Sequence, residues 1–135
     1  MPHRTAFVED LGVVVLRLTG EIGLPEIENA LSEIPAQPWF RPHLKMIADT
    51  CQCTTAMMGE DVQAIAAHAR HLDPAWGETQ WAVLATSDLI YGLARVYMAV
   101  TADFQVHTQV FRTTREASEW LELGVDINEA LRRAG

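Results

Sequence analysis

Basic residues are scarce in this 135-residue chain: ten Lys and Arg stand against eighteen Asp and Glu, for a formal net charge of −8. Nucleic-acid binding depends on basic side chains that displace counterions from phosphates, so the composition argues against nucleic acid as a partner. The sequence lacks an apolar run near the roughly 20 residues that span a bilayer, and its first residues lack the apolar segment of a signal peptide. We therefore expect a cytoplasmic protein with no transmembrane segment.

Cysteine is also rare, since Cys51 and Cys53 are the two in the chain. Their separation by a single residue disfavours a disulfide, whose Cα atoms usually lie about 4.4–6.8 Å apart. With His68 and His71 they resemble a Cys₂His₂ zinc set, but the histidines fall about 15 Å along a helix that begins after the cysteines. Four ligands so separated cannot share one ion. We expect no metal and no cofactor.

Catalytic fingerprints are missing: the chain has no G-x-S-x-G, no phosphate-binding loop and no dinucleotide motif. A cysteine-dependent enzyme using Cys51 or Cys53 stays open as the weakest hypothesis, because a thiol near a helix N-terminus can acquire a lowered pKa. The sequence places no histidine beside either thiol to serve as a base. We expect a protein that is not an enzyme.

What the chain does contain is a regular alternation of strand and helix patterns. In order, these are a β-hairpin (5–9 and 13–20), a helix (24–34), a strand (44–49), a helix (60–72), a loop (73–78), a strand (80–86), a helix capped by Ser87, a strand (105–111), a helix capped by Thr113 and a tail helix after Asp126. This order predicts an α/β fold: one mixed, mostly parallel sheet of about five strands with helices packed on it. Residues 1–124 would form the domain, and the tail 125–135 would belong to it.

Apolar spacing predicts which helix faces are buried. In the third helix, Leu89, Leu93, Val96 and Val100 follow the helical period and are expected to face the core. Other apolar residues are left over after the helices are oriented, and they predict self-association, with a homodimer as the expected state. These leftover residues are Trp39, Phe40, Trp76, Ile127 and Leu131.

Two stretches carry a resemblance to a known family. "WAVLATSDLIYGLARVYMAV" (81–100) is followed by "VFRTTREASEWLELG" (110–124), and together they resemble the SpoIIAA-like branch of the STAS superfamily, a group of small bacterial proteins. The order of elements, with a strand ending at Asp49 and a short loop into a helix, is similar as well. The resemblance implies a STAS-like fold and a role as a protein-interaction or regulatory module.

In classical STAS switch proteins, a serine followed by glycine at a helix start is phosphorylated, and this abolishes partner binding. The resemblance lays that pair on Met58 and Gly59, and methionine cannot accept phosphate. Thr54 and Thr55 are the neighbouring hydroxyls and become the candidate phospho-acceptors, although Thr55 suits a helix or turn cap equally well.

Ligands of open α/β sheets bind beyond the carboxyl ends of the strands. The residues predicted to bind a ligand or partner are Asp49, Thr50, Ser87, Tyr91 and Arg95. The first functional hypothesis is a non-enzymatic interaction or regulatory module that binds a protein partner or itself. The alternative, suggested by analogy with related lipid-carrying folds, is a binding protein for a small apolar or amphipathic, lipid-like ligand.

Overall fold

The computed structural model describes residues 2–134, which form a single sheet with helices on both faces. The strands are β1 (His3–Val8), β2 (Val13–Glu21), β3 (Lys45–Thr54), β4 (Thr79–Leu84) and β5 (Val106–Phe111). The α-helices are α1 (Leu24–Glu33), α2 (Gly59–Trp76), α3 (Asp88–Val100), α4 (Thr114–Leu121) and α5 (Ile127–Arg133). Over these residues, no helix is both long and apolar enough to cross a membrane.

The strands lie in the order β1-β2-β3-β4-β5. β1 and β2 are antiparallel, and each later pair is parallel because a helix carries the chain back across the sheet. The predicted hairpin turn is present, with Gly12 in the left-handed region at φ 63°, a conformation that glycine adopts without steric cost. The predicted α/β fold with one mixed, mostly parallel sheet of five strands is confirmed.

Both faces of the sheet are buried. Val14 and Leu16 of β2 face the layer of α1, α2 and α3, whereas Val13 and Val15 face the layer of α4 and α5. Successive side chains of a strand point to opposite faces, so a strand covered on both faces has to be apolar throughout. This is why β2 contains the continuous run "VVVL".

The strand predicted over 44–49 is wrong in extent, because β3 continues to Thr54. Its added residues pair with the far end of β2, where Gln52 lies opposite Thr19 and Cys53 lies opposite Gly20. A long neighbouring strand supplies free backbone groups for these residues to bond, and the register shift just before Thr19 accommodates the extension. Both cysteines therefore lie in a strand and not in a loop before the helix.

The helix predicted over 60–72 is also too short, because α2 continues into the predicted loop (73–78) and ends at Trp76. Pro74 removes one backbone donor near the end of the helix. Trp76, fully buried, packs edge-to-face against Phe40 and Trp81, with ring centroids 5.0 Å apart in each pair. The burial of a tryptophan stabilises this last turn by more than the loss of one hydrogen bond costs.

The predicted buried face of α3 is wrong for Leu89 and Val96, whereas Leu93 and Val100 are half-buried. Leu89 is 53% exposed and Val96 is 38% exposed, and Ile90, Ala94 and Tyr97 pack inward instead. The two stripes have the same helical period and differ by a rotation of one residue. Because α3 is apolar nearly all round, the period cannot tell which stripe faces the sheet.

The apolar residues that predicted self-association pack inside the chain. Trp76 and Ile127 are fully buried, and Leu131 packs against the same cluster as Ile127. Trp39 stacks on Phe7 with ring centroids 4.9 Å apart. That basis for self-association is therefore wrong, while the oligomeric state itself stays a prediction.

Candidate functional site

An apolar cavity of about 150 Å³ lies between the sheet and the helices α1, α2 and α3. Leu16, Met46 and Trp81 contribute to its floor from three neighbouring strands. Ile65 of α2 and Ala94 of α3 line it from the helical layer. Its wall consists almost entirely of carbon atoms. Such a surface offers a ligand dispersion contacts and the exclusion of water, with almost no hydrogen-bonding groups.

The cavity is costly for the fold. At about 24 cal/mol per Å³, an enclosed empty space of about 150 Å³ would lower stability by at most about 3–4 kcal/mol relative to a filled core, and the open side of this cavity reduces that cost. Native stabilities are about 5–15 kcal/mol, so this loss is a large fraction of the total. Two of the lining residues, Ala48 and Ala94, contribute only a methyl group where a larger apolar side chain would occupy the space.

A short cover segment, residues 55–58, joins β3 to α2 at one end of the cavity. Thr55 and Met57 of this segment line the cavity. The Thr55 hydroxyl donates a hydrogen bond to the Ile22 carbonyl oxygen at 2.6 Å and accepts one from the Met57 backbone N–H at 3.1 Å. One hydroxyl group therefore ties the cover segment to the chain that leaves β2.

Replacing Thr55 by valine keeps the shape of the side chain and removes both hydrogen bonds. We expect Thr55→Val to lower the free energy of unfolding by about 1–3 kcal/mol, because the Ile22 carbonyl loses its partner in a half-buried position. Thr54→Val is the matched control: Thr54 is exposed, and its change should stay within about 0.5 kcal/mol. Equal effects of the two substitutions in urea titrations would contradict the role given to Thr55.

The hydroxyls predicted as phospho-acceptors differ in their surroundings. Thr54 is exposed at the end of β3, whereas the Thr55 hydroxyl is engaged in the two bonds just described. Met58 lies at the N-cap of α2, directly before Gly59, where the resemblance places the serine of the switch proteins. Both threonines stay candidates, and Thr54 has the more accessible hydroxyl.

The two thiols lie on β3 in different environments. Cys53 lines the cavity and donates a hydrogen bond to the Thr50 carbonyl oxygen at 3.4 Å, whereas Cys51 is exposed. Desolvation, with a hydrogen bond and charge repulsion from Asp49, raises the pKa of Cys51 from 9.0 to about 11. Desolvation and the Asp49 charge also raise the pKa of Cys53. Neither environment produces the thiolate that a nucleophilic cysteine needs.

The raised pKa of Cys51 predicts slow alkylation. At about pH 8, a thiol with a pKa of about 11 is roughly 100-fold less ionised than one with its ordinary value of 9.0. In a Cys53→Ser variant, we expect the iodoacetamide rate at Cys51 to rise steadily up to about pH 11, and Asp49→Asn to accelerate it at about pH 8. The same thiol in the urea-unfolded chain is the reference. A folded-state rate equal to the unfolded-state rate would contradict this prediction.

Three predicted binding residues lie where the pairing of β3 with β4 ends, and Asp49 and Thr50 are inside β3 because this strand continues to Thr54. Thr50 is buried, lines the cavity and donates a hydrogen bond to the Leu84 carbonyl oxygen at 2.6 Å. The Asp49 carboxylate lies outside the cavity lining and accepts a hydrogen bond from the Cys51 N–H at 3.0 Å. Ser87 caps α3, as predicted, by accepting a hydrogen bond from the Ile90 N–H. The structure therefore brings Thr50 to the cavity and leaves the other two outside its wall.

Tyr91 and Arg95 are not paired with each other. Arg112 covers the Tyr91 ring at 4.1 Å from its centroid, forms a 2.8 Å ion pair with Asp88 and donates a hydrogen bond to the Thr86 carbonyl oxygen. Arg95 is exposed on the outer side of α3. Arg112, the arginine at this end of the sheet, is engaged by groups of its own chain.

Metal-binding side chains do not converge in the part of the chain that the structure describes. Within residues 2–134, no group of three His, Cys, Asp or Glu residues is arranged to hold a metal ion. His68 forms a 2.8 Å hydrogen bond with Ser32 of α1, so it links two helices.

Most of the cavity wall consists of residues that carried no signal of a binding site in the sequence. Leu93, which the apolar spacing predicted to face the core, lines the cavity together with Ala94 and Tyr97, which that spacing did not select. Burial, followed by the charge of Asp73, raises the pKa of the Tyr97 phenol. The spacing of Ile90, Ala94 and Tyr97 along α3 was the available signal, because it forms a second apolar stripe with the helical period.

Comparison with known proteins supports the fold. No protein-family model and no curated protein matches the chain. A similar solved structure is that of an uncharacterized protein of the DUF3478 family from Shewanella loihica, described as having a SpoIIAA-like fold. The two chains are 11% identical, the match covers 88% of this chain and 91% of that chain, and the TM-score is 0.55. This chain thus has a SpoIIAA-like fold, as its resemblance to the family predicted.

Proposed function

We propose that this chain is a non-enzymatic, cytoplasmic binding protein for a small apolar or amphipathic ligand, held in the cavity beneath α3. The observation that carries the proposal is a partly open, carbon-walled space of about 150 Å³ between the sheet and the helices α1, α2 and α3. Native cores contain few voids larger than a water molecule. A space of this size, with its cost in stability, is expected where binding requires it.

The size of the cavity indicates what fits. An apolar cavity of about 150 Å³ stays dry and takes up benzene or xenon, as an engineered example shows. Pockets for drug-sized ligands are larger, about 300–1,000 Å³. The group that enters would therefore be a single ring or a short branched alkyl group, and the rest of a longer amphipathic ligand would remain outside.

The thiols support a binding role over a catalytic one. The pKa of each thiol is raised, and in the described part of the chain neither forms a hydrogen bond with a histidine. A cysteine nucleophile needs either a lowered pKa or an adjacent base.

A second candidate function is interaction with a protein partner, specifically a second copy of this chain, through the outer face of α3. Leu89 and Val96 are exposed there, and Gly92 faces open space that would admit a close approach. Arg95 is the one charged residue between Leu89 and Val100, in a chain whose net charge is −8. Two copies that meet at this face would avoid the carboxylate repulsion present elsewhere on the surface.

Native mass spectrometry of the protein as purified from cells, paired with a denatured intact mass, tests both candidates. The ligand-binding proposal predicts an additional mass that disappears on denaturation, or binding of added benzyl alcohol at one site per chain. The dimer proposal predicts a two-chain species that is lost in Val96→Asp and retained in Ala67→Asp, a control on the exposed face of α2. A bare monomer that binds no benzyl alcohol would contradict both.

A further inference from the structure

An acidic outer pocket adjoins the apolar cavity. Ile22 and Met57 line both spaces, so the outer pocket and the cavity are adjacent at these two residues. The other residues of the outer pocket are Glu21, Gly23, Leu24, Pro25, Glu26, Ala56 and Asp61. From this adjacency we infer that the cavity selects apolar ligands with a cationic or neutral polar end and rejects carboxylates such as fatty acids. The inference rests on the proposed ligand-binding function.

The polar end of a ligand has to lie in the outer pocket. The cavity wall is nearly all carbon, and a polar group buried there without a hydrogen bond would cost several kcal/mol. Among the residues that line the cavity and the outer pocket there is no Lys, Arg or His. A carboxylate end would therefore find no cation to pair with among the residues that line either space.

The carboxylates of the outer pocket are held in place by the backbone. Glu26 accepts a hydrogen bond from the Gly23 N–H at 3.0 Å, and Asp61 accepts one from the Met58 N–H at 2.8 Å. Each caps the helix in which it lies, α1 or α2. Their positions are fixed before any ligand arrives, and Glu21 adds a third, exposed carboxylate.

Two helix N-termini face the same pocket, and their partial positive charge favours a negatively charged ligand end, which the carboxylates disfavour. Each contributes the equivalent of about half a positive charge, and both already donate N–H groups to the capping carboxylates. Together they offset about one of the three negative charges. The outer pocket therefore remains negative, which favours an ammonium end and repels a carboxylate end.

Three ligands that share one ring and differ in charge test the inference: benzylamine, benzyl alcohol and phenylacetate. Binding is measured by NMR titration at about 0.1 M salt. We expect benzylamine to bind at least about tenfold more tightly than phenylacetate, with the affinity of benzyl alcohol between the two. The reason is the interaction of the charged end of each ligand with a few carboxylates at about 7 Å in partly screened solvent. Higher salt should lower the ratio of benzylamine affinity to phenylacetate affinity, because it screens the carboxylates.

Charge-removing variants distinguish the effect of the carboxylates in the outer pocket from the effect of the net charge of the protein. Glu21→Gln and Glu26→Gln should each reduce the ratio of benzylamine to phenylacetate affinity by about threefold, and the glutamine at 26 can still accept the Gly23 hydrogen bond. Glu78→Gln removes the same charge beside the start of β4, away from the outer pocket, and should leave the ratio unchanged.

The outcomes distinguish this inference from the proposed function. Suppose that benzyl alcohol binds and that the two charged ligands bind equally tightly, or that phenylacetate binds more tightly. Either outcome would overturn the charge selection and leave the binding function in place. Failure of all three ligands to bind would overturn the proposed function, and the inference with it.

Discussion

The substitution Ala94→Leu on α3 is expected to fill the cavity. This should both stabilise the protein and weaken ligand binding. The added carbons enter a space that Ala94 already lines, and each buried methylene contributes about 0.8 kcal/mol before strain is subtracted. We expect the free energy of unfolding to rise by about 1 kcal/mol in urea titrations. The affinity for benzyl alcohol should fall by more than about tenfold, because the space is taken.

The control for this substitution is Ala67→Leu, which makes the same chemical change on the exposed face of α2. It should alter neither the free energy of unfolding, beyond about 0.5 kcal/mol, nor the affinity. Unchanged benzyl alcohol binding by a folded Ala94→Leu variant would show that the ligand lies elsewhere. A strong loss of stability would show that the space between α3 and the sheet is already filled.

Truncation of Ile127 to alanine is expected to cost about 2–5 kcal/mol of stability. Ile127 is fully buried between α5 and the sheet face that carries Val13, Val15 and Ile47. Removal of its side chain would leave a cavity in the second half of the core, far from the ligand site. Thermal unfolding of Ile127→Ala should show a midpoint lower by about 6–25 °C, since 1 kcal/mol corresponds to about 3–5 °C in a chain of this size.

Leu89→Ala is the matched control, because it removes a similar side chain from a position that is 53% exposed. Its unfolding midpoint should change by no more than about 2 °C. If Ile127→Ala were equally mild, α5 would not be packed on the sheet, and the tail would again become available for an interface between copies. Benzyl alcohol affinity at a temperature where Ile127→Ala is folded should match that of the unsubstituted protein.

Local chemistry explains which elements the sequence could predict. Ser87 and Thr113 accept hydrogen bonds from the first turns of α3 and α4, and a cap of this kind depends only on residues within one turn. The mixed, mostly parallel sheet follows from the alternating strand and helix patterns. The predicted ends of β3 and α2 were wrong because the true ends depend on residues distant in the sequence. The end of β3 depends on its pairing with the far end of β2, and the end of α2 depends on the packing of Trp76 against Phe40 and Trp81.

The cavity could not be predicted, because no residue pattern encodes empty space. Ala48 and Ala94 read as ordinary core residues in apolar segments, and the space beside them depends on how far α3 lies from the sheet. Of the predicted site residues, Thr50 and Thr55 reach the cavity wall. Asp49 and Arg95 do not, because alternation along β3 and rotation of α3 turn their side chains away from it.

Methyl NMR of the protein under xenon is the measurement that tests the central claim most directly. Xenon enters dry apolar cavities of about this size. We expect shifts for methyl groups of Leu31, Ile65 and Val83, which line the cavity, and none for Val13 and Ile47 on the opposite face of the sheet. No shift at any methyl group, or equal shifts on both faces, would contradict the claim that this protein holds an apolar binding site beneath α3.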